Sequence, residues 1–168
     1  AHTKDDQIET ILHRILRGTG IPGLKGIPRT RALGDAVVII RPLLQISRAT
    51  ILEYLNSLQQ AFQEDVTNLD PTYTRNRVRH ELLPLIKENY NPTVGEAILR
   101  LGQLAGEAEA IIASLVESHE ERAVRFEPSE QATIDCQAWT SNDAPLVRRL
   151  LLSVWQRQAW PLAEMGYQ

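Results

Sequence analysis

The sequence is poor in cysteine and in aromatic residues. Of its 168 residues, 5% are aromatic and one is a cysteine, Cys136. A lone cysteine excludes an internal disulfide, and a chain of this length buries a sufficient core without such a staple. We therefore expect a reducing compartment, and hence a cytoplasmic protein.

Long apolar runs are also missing. The longest spans residues 36–40, whereas a membrane helix needs about 20 apolar residues. No basic-then-apolar signal peptide opens the chain. We therefore predict no membrane partner. Because the first residue is Ala1 and not Met, we expect the chain to be a piece of a longer protein.

Charge is distributed unevenly around a net value of -3. Residues 1–90 carry 12 Lys and Arg against 10 Asp and Glu, whereas residues 91–168 carry 6 against 11. An anionic partner is therefore expected to bind the first half.

The pattern of the first half is typical of an α/β segment. Apolar residues spaced three and four apart predict a helix over 4–17, with Thr3 as its N-cap and Gly18 beyond its end. A loop rich in glycine and proline follows over 17–28. The β-branched run 36–40 is typical of a parallel strand buried on both faces.

The rest of the sequence reads as mostly helical. Ser47 caps a helix whose apolar stripe is Ile51, Tyr54, Leu55, Leu58 and Phe62. Another helix over 73–87 is interrupted at Pro84, which must kink or split it. A short extended piece is expected near residues 133–136, and a last helix over 144–158.

A heptad repeat begins near residue 93 and predicts one long helix packed on another helix. Its seam comprises Val94, Ile98, Leu101, Ala105, Ala108, Ile112, Leu115 and His119. Four further side chains are expected to fill the small core of the second half: Cys136, Trp139, Trp155 and Trp160. Because charge and periodicity both change near residues 89–92, we place a domain boundary there, between domains 1–89 and 90–168.

The first helix opens with unusually dense polar residues. His2 and Asp6 lie one turn apart, and Asp5 and Glu9 lie one turn apart on a neighbouring face. One interpretation is a Thr3 cap with acids in the first turn, where they stabilise the helix dipole. Another is a catalytic pair of His2 and Asp6. A metal site with His2, Asp6, Glu9 and His13 fits poorly, because the spacing is not that of a zinc-binding helix.

Gly18, Gly20 and Gly23 spell the G-x-G-x-x-G pattern. The dinucleotide fingerprint requires these glycines between a strand and a helix. Here they follow a helix, so we reject that interpretation. What remains is either a solvated connection or a flexible loop that covers a phosphorylated ligand. The cations of this loop are Arg17, Lys25, Arg29 and Arg31.

Residues 75–80 contain three arginines and no acid. Arg75 and Arg79 lie on one face at the start of a helix, where cations oppose the helix dipole. A bound phosphate would compensate this cost, because guanidinium groups match phosphate oxygens. The alternative is a solvated face neutralised by acidic neighbours, namely Glu64, Asp65 and Glu81.

Five segments together resemble one family. In chain order they are His2-x-x-Asp-Asp-Gln-x-Glu-Thr, Arg17-Gly-x-Gly-x-x-Gly-Leu-x-Gly, Ile40-Arg-Pro-Leu-Leu, Glu64-Asp-x-Thr-Asn, and Arg75-Asn-x-Val-Arg followed by Leu-Leu-Pro84. This order resembles tRNA(Ile)-lysidine synthase, an N-type ATP pyrophosphatase of the PP-loop family. The resemblance covers residues 1–84 by motif. Residues 93–158 match only as a helical extension of the expected size.

The resemblance implies an α/β fold: the C-terminal part of a Rossmann-like PP-loop domain, then an all-α substrate-binding domain, with this chain mostly helical. It also implies a bacterial ligase that uses ATP, with Mg²⁺, to join L-lysine to the C2 position of the wobble cytidine of tRNA(Ile) with a CAU anticodon. An adenylated cytidine is the implied intermediate. The family's Ser-Gly-Gly-x-Asp-Ser loop is not in this sequence, so we expect this chain alone to be inactive.

The same resemblance implies roles for individual residues. His2 and Asp6 match the catalytic positions, and Arg17 and Gly18 border the nucleotide. Arg75, Asn76 and Arg79 are expected to contact phosphate or tRNA. The alternative for these three residues is a structural role at the domain junction. No metal ligand is assigned. Two other functions stay open: a non-catalytic helical RNA-binding module, and a sister PP-loop enzyme that thiolates tRNA.

Overall fold

The computed structural model describes residues 2–34, 36–63, 73–127, 131–137 and 143–161. These residues are mostly helical, as predicted. The helices are α1 (Lys4–Leu16), α2 (Ile21–Leu24), α3 (Arg48–Ser57), α4 (Thr74–Arg77), α5 (Leu83–Asn89), α6 (Val94–Ala123) and α7 (Ala144–Arg157), and the strands are β1 (Thr30–Ala32), β2 (Val38–Ile40), β3 (Val124–Phe126) and β4 (Ala132–Ile134). No helix in the described part of the chain is long and apolar enough to cross a membrane.

Helix α1 begins and ends where the sequence predicts. Thr3 and Asp6 form a capping box, in which each side chain binds the backbone of the other residue. Arg17 is the C-cap, and Gly18 follows with φ +77°, a left-handed conformation that glycine adopts without strain. The helix is therefore fixed at both ends by local interactions.

The prediction of a doubly buried parallel strand over 36–40 is wrong for the described residues. Strand β2 pairs antiparallel with β1 in a hairpin, and Val38 and Ile40 are 60% and 68% exposed. A short apolar run does not distinguish a parallel neighbour from an antiparallel one. Because β1 lies only a few residues upstream, a short turn containing Gly34 is sufficient to bring the two strands together.

The helices after the hairpin differ from the predicted ones in detail. Ser47 caps α3 as expected, but α3 ends at Ser57, so Phe62 lies beyond it. Much of the predicted apolar stripe is exposed, including Tyr54. Pro84 stands in the first turn of α5, directly after a π-helical segment, Val78–Leu82. This segment is the expected disturbance, because proline lacks the N–H that an α-helix would use.

The chain divides into two compact units, Ala1–Glu107 and Ala108–Gln168. The core of the first unit consists of Ile11, Leu12, Val78 and Ile98. Gly102 of α6 permits close packing there, since a Cβ at this position would lie 2.7 Å from Ile11 Cδ1. The unit thus extends past residue 89. The division of the longer protein into domains at residues 89–90 stays a prediction.

The second unit is not purely helical. Strands β3 and β4 form an antiparallel hairpin, of which only a piece near residues 133–136 is predicted from sequence. The core of this unit is Val116, Val124, Leu150 and Val154. Placing Cys136 in this core is wrong, because its side chain is exposed. Trp155 and Trp160 pack edge to face with 4.9 Å between ring centroids, and Trp139 lies outside the described residues.

The predicted long helix is confirmed by α6, but the predicted seam is partly wrong. Leu101 and Leu115 are exposed, and His119 is half-buried, where its Nδ1 contacts the Leu115 carbonyl oxygen. Four residues, each one position beyond a predicted seam residue, are buried: Gly102, Glu109, Val116 and Glu120. In the second unit, Glu109 pairs with Arg149 of α7, and Glu120 pairs with Arg157 at 2.6 Å. Ion pairs therefore occupy buried positions of α6 that lie outside the predicted seam.

Leu150→Ala should destabilise the protein by about 2–5 kcal/mol, because it opens a cavity at a fully buried side chain. Leu151→Ala is the matched control, since Leu151 stands on the same helix and is 41% exposed. Leu151→Ala should lower the free energy of unfolding by only about 1 kcal/mol. Urea denaturation measures both. Equal losses would contradict the placement of Leu150 in the core.

Candidate active site at the start of helix α1

The first turn of α1 holds Asp6 in a fixed orientation. The Thr3 backbone N–H donates to Asp6 Oδ2 at 2.7 Å, and the Thr3 hydroxyl donates to the same oxygen at 2.9 Å. The N-cap interpretation of this turn is therefore confirmed. It occupies one oxygen of Asp6 and leaves Oδ1 for other partners.

Two arginines fill the remaining acceptor positions of this face. Arg75 Nη2 donates to Asp6 Oδ1 at 2.7 Å, and Arg79 Nη2 donates to the same oxygen at 3.2 Å. One turn later, Glu9 accepts two hydrogen bonds from Arg79, at 2.5 and 3.0 Å, and one from Arg75 Nε at 3.1 Å. We call these four residues, Asp6, Glu9, Arg75 and Arg79, the acid–arginine cluster.

The acid–arginine cluster includes a buried carboxylate, that of Glu9. Glu9 is 1% exposed, and a buried carboxylate is costly unless it is paired and hydrogen-bonded. Both of its oxygens have guanidinium donors. The hydrogen bonds that Arg79 donates to Glu9, together with the negative charges of Glu9 and Asp6, raise the pKa of Arg79 above its ordinary value. Arg79 therefore stays positively charged, and Glu9 has a structural role as its buried ion-pair partner.

The structure thus shows what balances the arginines of residues 75–80. Arg75 and Arg79 bind acids of α1, whereas Glu81 pairs with Arg77 at 3.6 Å. This observation favours the structural alternative for Arg75 and Arg79. Asn76 lies between them, half-buried, with its backbone N–H on the Tyr73 carbonyl. Contact of all three with tRNA stays a prediction.

Other segments of the chain meet the same turn. Arg41 Nε donates to His2 Nδ1 at 3.3 Å, and Arg41 also binds the Pro28 carbonyl oxygen. The Arg48 backbone N–H donates to Asp5 Oδ2 at 2.7 Å. His2, Asp5 and Asp6 are therefore each held by a group from another part of the chain or from the cap.

The glycine-rich loop is anchored to α1. The Gln7 side chain binds the backbone of Lys25 and Ile27, and Arg14 donates to the carbonyl oxygens of Gly23 and Gly26. A short helix, α2, lies within this loop. These hydrogen bonds fix residues 23–27 against α1, and the covering of a phosphorylated ligand by this loop stays a prediction.

Arg17 and Gly18 stand at the opposite end of α1 from His2 and Asp6. A helix rises 1.5 Å per residue, so Asp6 and Arg17 are about 16 Å apart along the axis. The structure does not bring the two predicted sets of site residues into contact. The predicted nucleotide contact of Arg17 and Gly18 is untested by this geometry.

An open cleft of about 570 Å³ borders the acid–arginine cluster within the first unit. Its charged lining residues are Lys4, Asp5, Glu9, Arg79, Lys87 and Glu96. Both signs of charge therefore meet around one concave surface. Within the described ranges, no group of three or more His, Cys, Asp or Glu side chains is placed to hold a metal ion.

Sequence reasoning missed Glu9 as the partner of the arginines. The signal was present as two complementary pairs, with Asp6 and Glu9 three apart on α1 and Arg75 and Arg79 four apart in the later helix. Each pair lies on one helix face. The segment 64–68, which contains two of the acids expected to neutralise the arginines, lies outside the described residues.

Comparison with known proteins finds one matching domain family and several relatives that share one name. The PP-loop domain family matches residues 1–86. The tRNA(Ile)-lysidine synthase of Rhodopirellula baltica is 35% identical over 100% of this chain and 46% of its own length. That of Chromobacterium violaceum is 35% identical over 99% of this chain and 37% of its own length. That of Clostridium tetani reaches 46% identity over 61% of this chain and 21% of its own length. The chain spans less than half the length of each relative.

Glu9→Gln should lower the free energy of unfolding by about 2 kcal/mol, because it removes the buried anion that two arginines share. This loss is smaller than for a fully buried pair, because the side chain of Arg75 is 41% exposed and solvent screens its charge. Glu81→Gln makes the same change in a pair whose side chains are both 62% exposed. It should cost less than about 1 kcal/mol in urea denaturation. Indistinguishable losses would refute the structural importance of Glu9.

Proposed function

Because the chain belongs to the PP-loop domain family, we propose that the full-length protein is a tRNA(Ile)-lysidine synthase. It joins the ε-amine of lysine to C2 of the wobble cytidine of an isoleucine tRNA with a CAU anticodon, at the expense of ATP. The names of the relatives that match this chain support the proposal.

One structural observation carries the proposal. Of the five segments that carry the resemblance, three meet at the first two turns of α1, and a fourth, the glycine-rich loop, is anchored to the same helix through Gln7 and Arg14. The contacts are those of Arg41 with His2 and of Arg75 and Arg79 with Asp6 and Glu9. Residues distant in sequence thus form one polar site, as a catalytic centre requires.

The proposed reaction has two steps. The C2 oxygen of the cytidine first attacks the α-phosphate of ATP, which forms the adenylated base and releases pyrophosphate. The lysine nitrogen then attacks C2 and AMP leaves with the former C2 oxygen. The amine must lose protons during this step, so a nearby group has to accept them.

His2 is oriented for a donor role in these steps. Because Arg41 Nε donates to His2 Nδ1, a neutral His2 carries its proton on Nε2. That N–H can donate to the C2 oxygen as negative charge develops on it or on the adenylate. Both oxygens of Asp6 already accept hydrogen bonds, so Asp6 contributes a fixed negative charge. We place this charge near the cytosine ring of the substrate, which becomes cation-like after adenylation.

Arg75 and Arg79 are proposed as positioning residues for Asp6. Their contacts with Asp6 and Glu9 support this role over direct tRNA contact. We retain Arg17 and Gly18 as the proposed border of the nucleotide and Asn76 as a proposed tRNA contact. Mg²⁺ is proposed as the ion that accompanies ATP, and no residue of this chain is assigned to it.

The domain organisation is part of the same proposal. Residues 1–89 belong to a Rossmann-like PP-loop domain of the longer protein, and residues 90–168 belong to its tRNA-binding helical domain. The family match over residues 1–86 supports the first assignment. The setting of such an enzyme is the cytoplasm, where its tRNA substrate resides.

Asp6→Asn should reduce incorporation of labelled lysine into CAU-anticodon tRNA(Ile) by at least about a hundredfold in the full-length protein, because the amide loses the negative charge and replaces one acceptor oxygen with an NH₂ donor. The tRNA affinity should stay within about twofold. Asp135→Asn, the same chemical change at an exposed position of the second unit, is the control and should retain full incorporation.

Two results would contradict this function. If the intact protein binds the tRNA but incorporates no lysine, the non-catalytic RNA-binding module or the thiolating enzyme becomes the better hypothesis. If Asp6→Asn retains full incorporation, the reaction centre does not include Asp6. Thermal unfolding of each variant separates loss of activity from loss of structure.

A further inference from the structure

The β1–β2 hairpin places three arginines on one face. Arg41 N–H donates to the Arg29 carbonyl oxygen at 3.0 Å, which extends the strand register so that Arg29 faces Arg41 and Arg31 faces Ile39. Side chains alternate along a strand, and directly opposed residues share a face. Arg29, Arg31 and Arg41 therefore share one side of the hairpin, which we call the arginine face.

This arrangement is unfavourable without an anion. Like charges directly opposite each other on neighbouring strands destabilise the pairing. Among the described residues, the Arg41 side chain donates to the Pro28 carbonyl oxygen and to His2 Nδ1, and neither partner is a carboxylate. Arg29 and Arg31 are exposed, and in the described part of the chain no ion pair involves any of the three. Across residues 17–48 of the sequence, Asp35 is the sole acid.

The contrast with Arg75 and Arg79 is direct. Their charges are balanced by Asp6 and Glu9, whereas the arginine face is not balanced by acids among the described residues. A phosphate approaching the first unit therefore gains more from the hairpin than from the acid–arginine cluster. Arg41 also contacts His2, so the arginine face is connected to the proposed reaction centre.

We propose that the arginine face binds the phosphate backbone of the tRNA and delivers its anticodon region to His2. This inference rests on the proposed function. Within the part of the chain that the structure describes, the hairpin strands are exposed over most of their length and form an open surface. An open surface suits a polynucleotide, whose phosphates are spaced along a strand, better than a single nucleotide, which binds in an enclosing cleft.

The test is filter binding of a CAU-anticodon tRNA(Ile) transcript to the full-length protein between 50 and 300 mM salt, roughly the range over which phosphate contacts are lost. Arg29→Gln/Arg31→Gln should weaken binding about tenfold at low salt and reduce the slope of log K against log salt by about two units. Arg77→Gln/Arg100→Gln removes the same charge from exposed positions on α4 and α6 and should change both quantities much less.

The charge-retaining variant Arg29→Lys/Arg31→Lys should restore most of the affinity and the salt slope. Far-ultraviolet circular dichroism and thermal unfolding establish that each variant is folded. Equal weakening by the control variant would overturn the inference, because a general effect of net charge would then suffice. Reduced ATP affinity with unchanged tRNA binding would also overturn it and assign the face to the nucleotide.

Failure of this inference is distinguishable from failure of the proposed function. If the unaltered protein incorporates lysine but the arginine-face variant binds tRNA normally, the inference is wrong and the function stands. If the unaltered protein incorporates no lysine while that variant still loses tRNA affinity, the arginine face binds RNA in a protein of another function.

Discussion

The buried carboxylate of Glu9 is the constraint on which the first unit depends. An ionised group removed from water requires compensating charge and hydrogen bonds. Arg75 and Arg79 supply both, although they stand more than sixty residues later in the chain. This requirement fixes α4 and the π-helical segment against α1, and it explains why Val78, between the two arginines, packs in the same core as Ile11.

The same contacts hold the proposed reaction centre. Arg75 and Arg79 reach past Glu9 to Asp6, whose other oxygen is fixed by the Thr3 cap. A group of this kind does not need to reorganise when charge develops beside it, which is the main advantage of a protein site over water. The structural role of these ion pairs is therefore compatible with the catalytic role proposed for Asp6, because one set of ion pairs stabilises the unit and orients Asp6.

The second unit uses a related device. Glu109 and Glu120 lie on the buried side of α6 and pair with Arg149 and Arg157 of α7, and Ser153 donates to Glu120 at 2.7 Å. Buried ion pairs add less stability than apolar side chains of similar size. If α6 and α7 packed in another register, however, a buried glutamate would lose its arginine partner and its charge would be uncompensated. The register of α6 against α7 is thereby specified, while the apolar contacts of Leu150 and Val154 supply the packing energy.

Local features of the sequence determined much of this protein by themselves. Thr3, Ser47 and Gly18 mark helix ends because caps act within a few residues, and the three-and-four spacing predicts α1, α6 and α7 because it reflects the geometry of one helix. The tertiary structure alone decided which charges pair, which side of α6 is buried, and that residues 38–40 join an exposed antiparallel hairpin. These outcomes depend on contacts between different elements, and periodicity within a single element does not encode its partner.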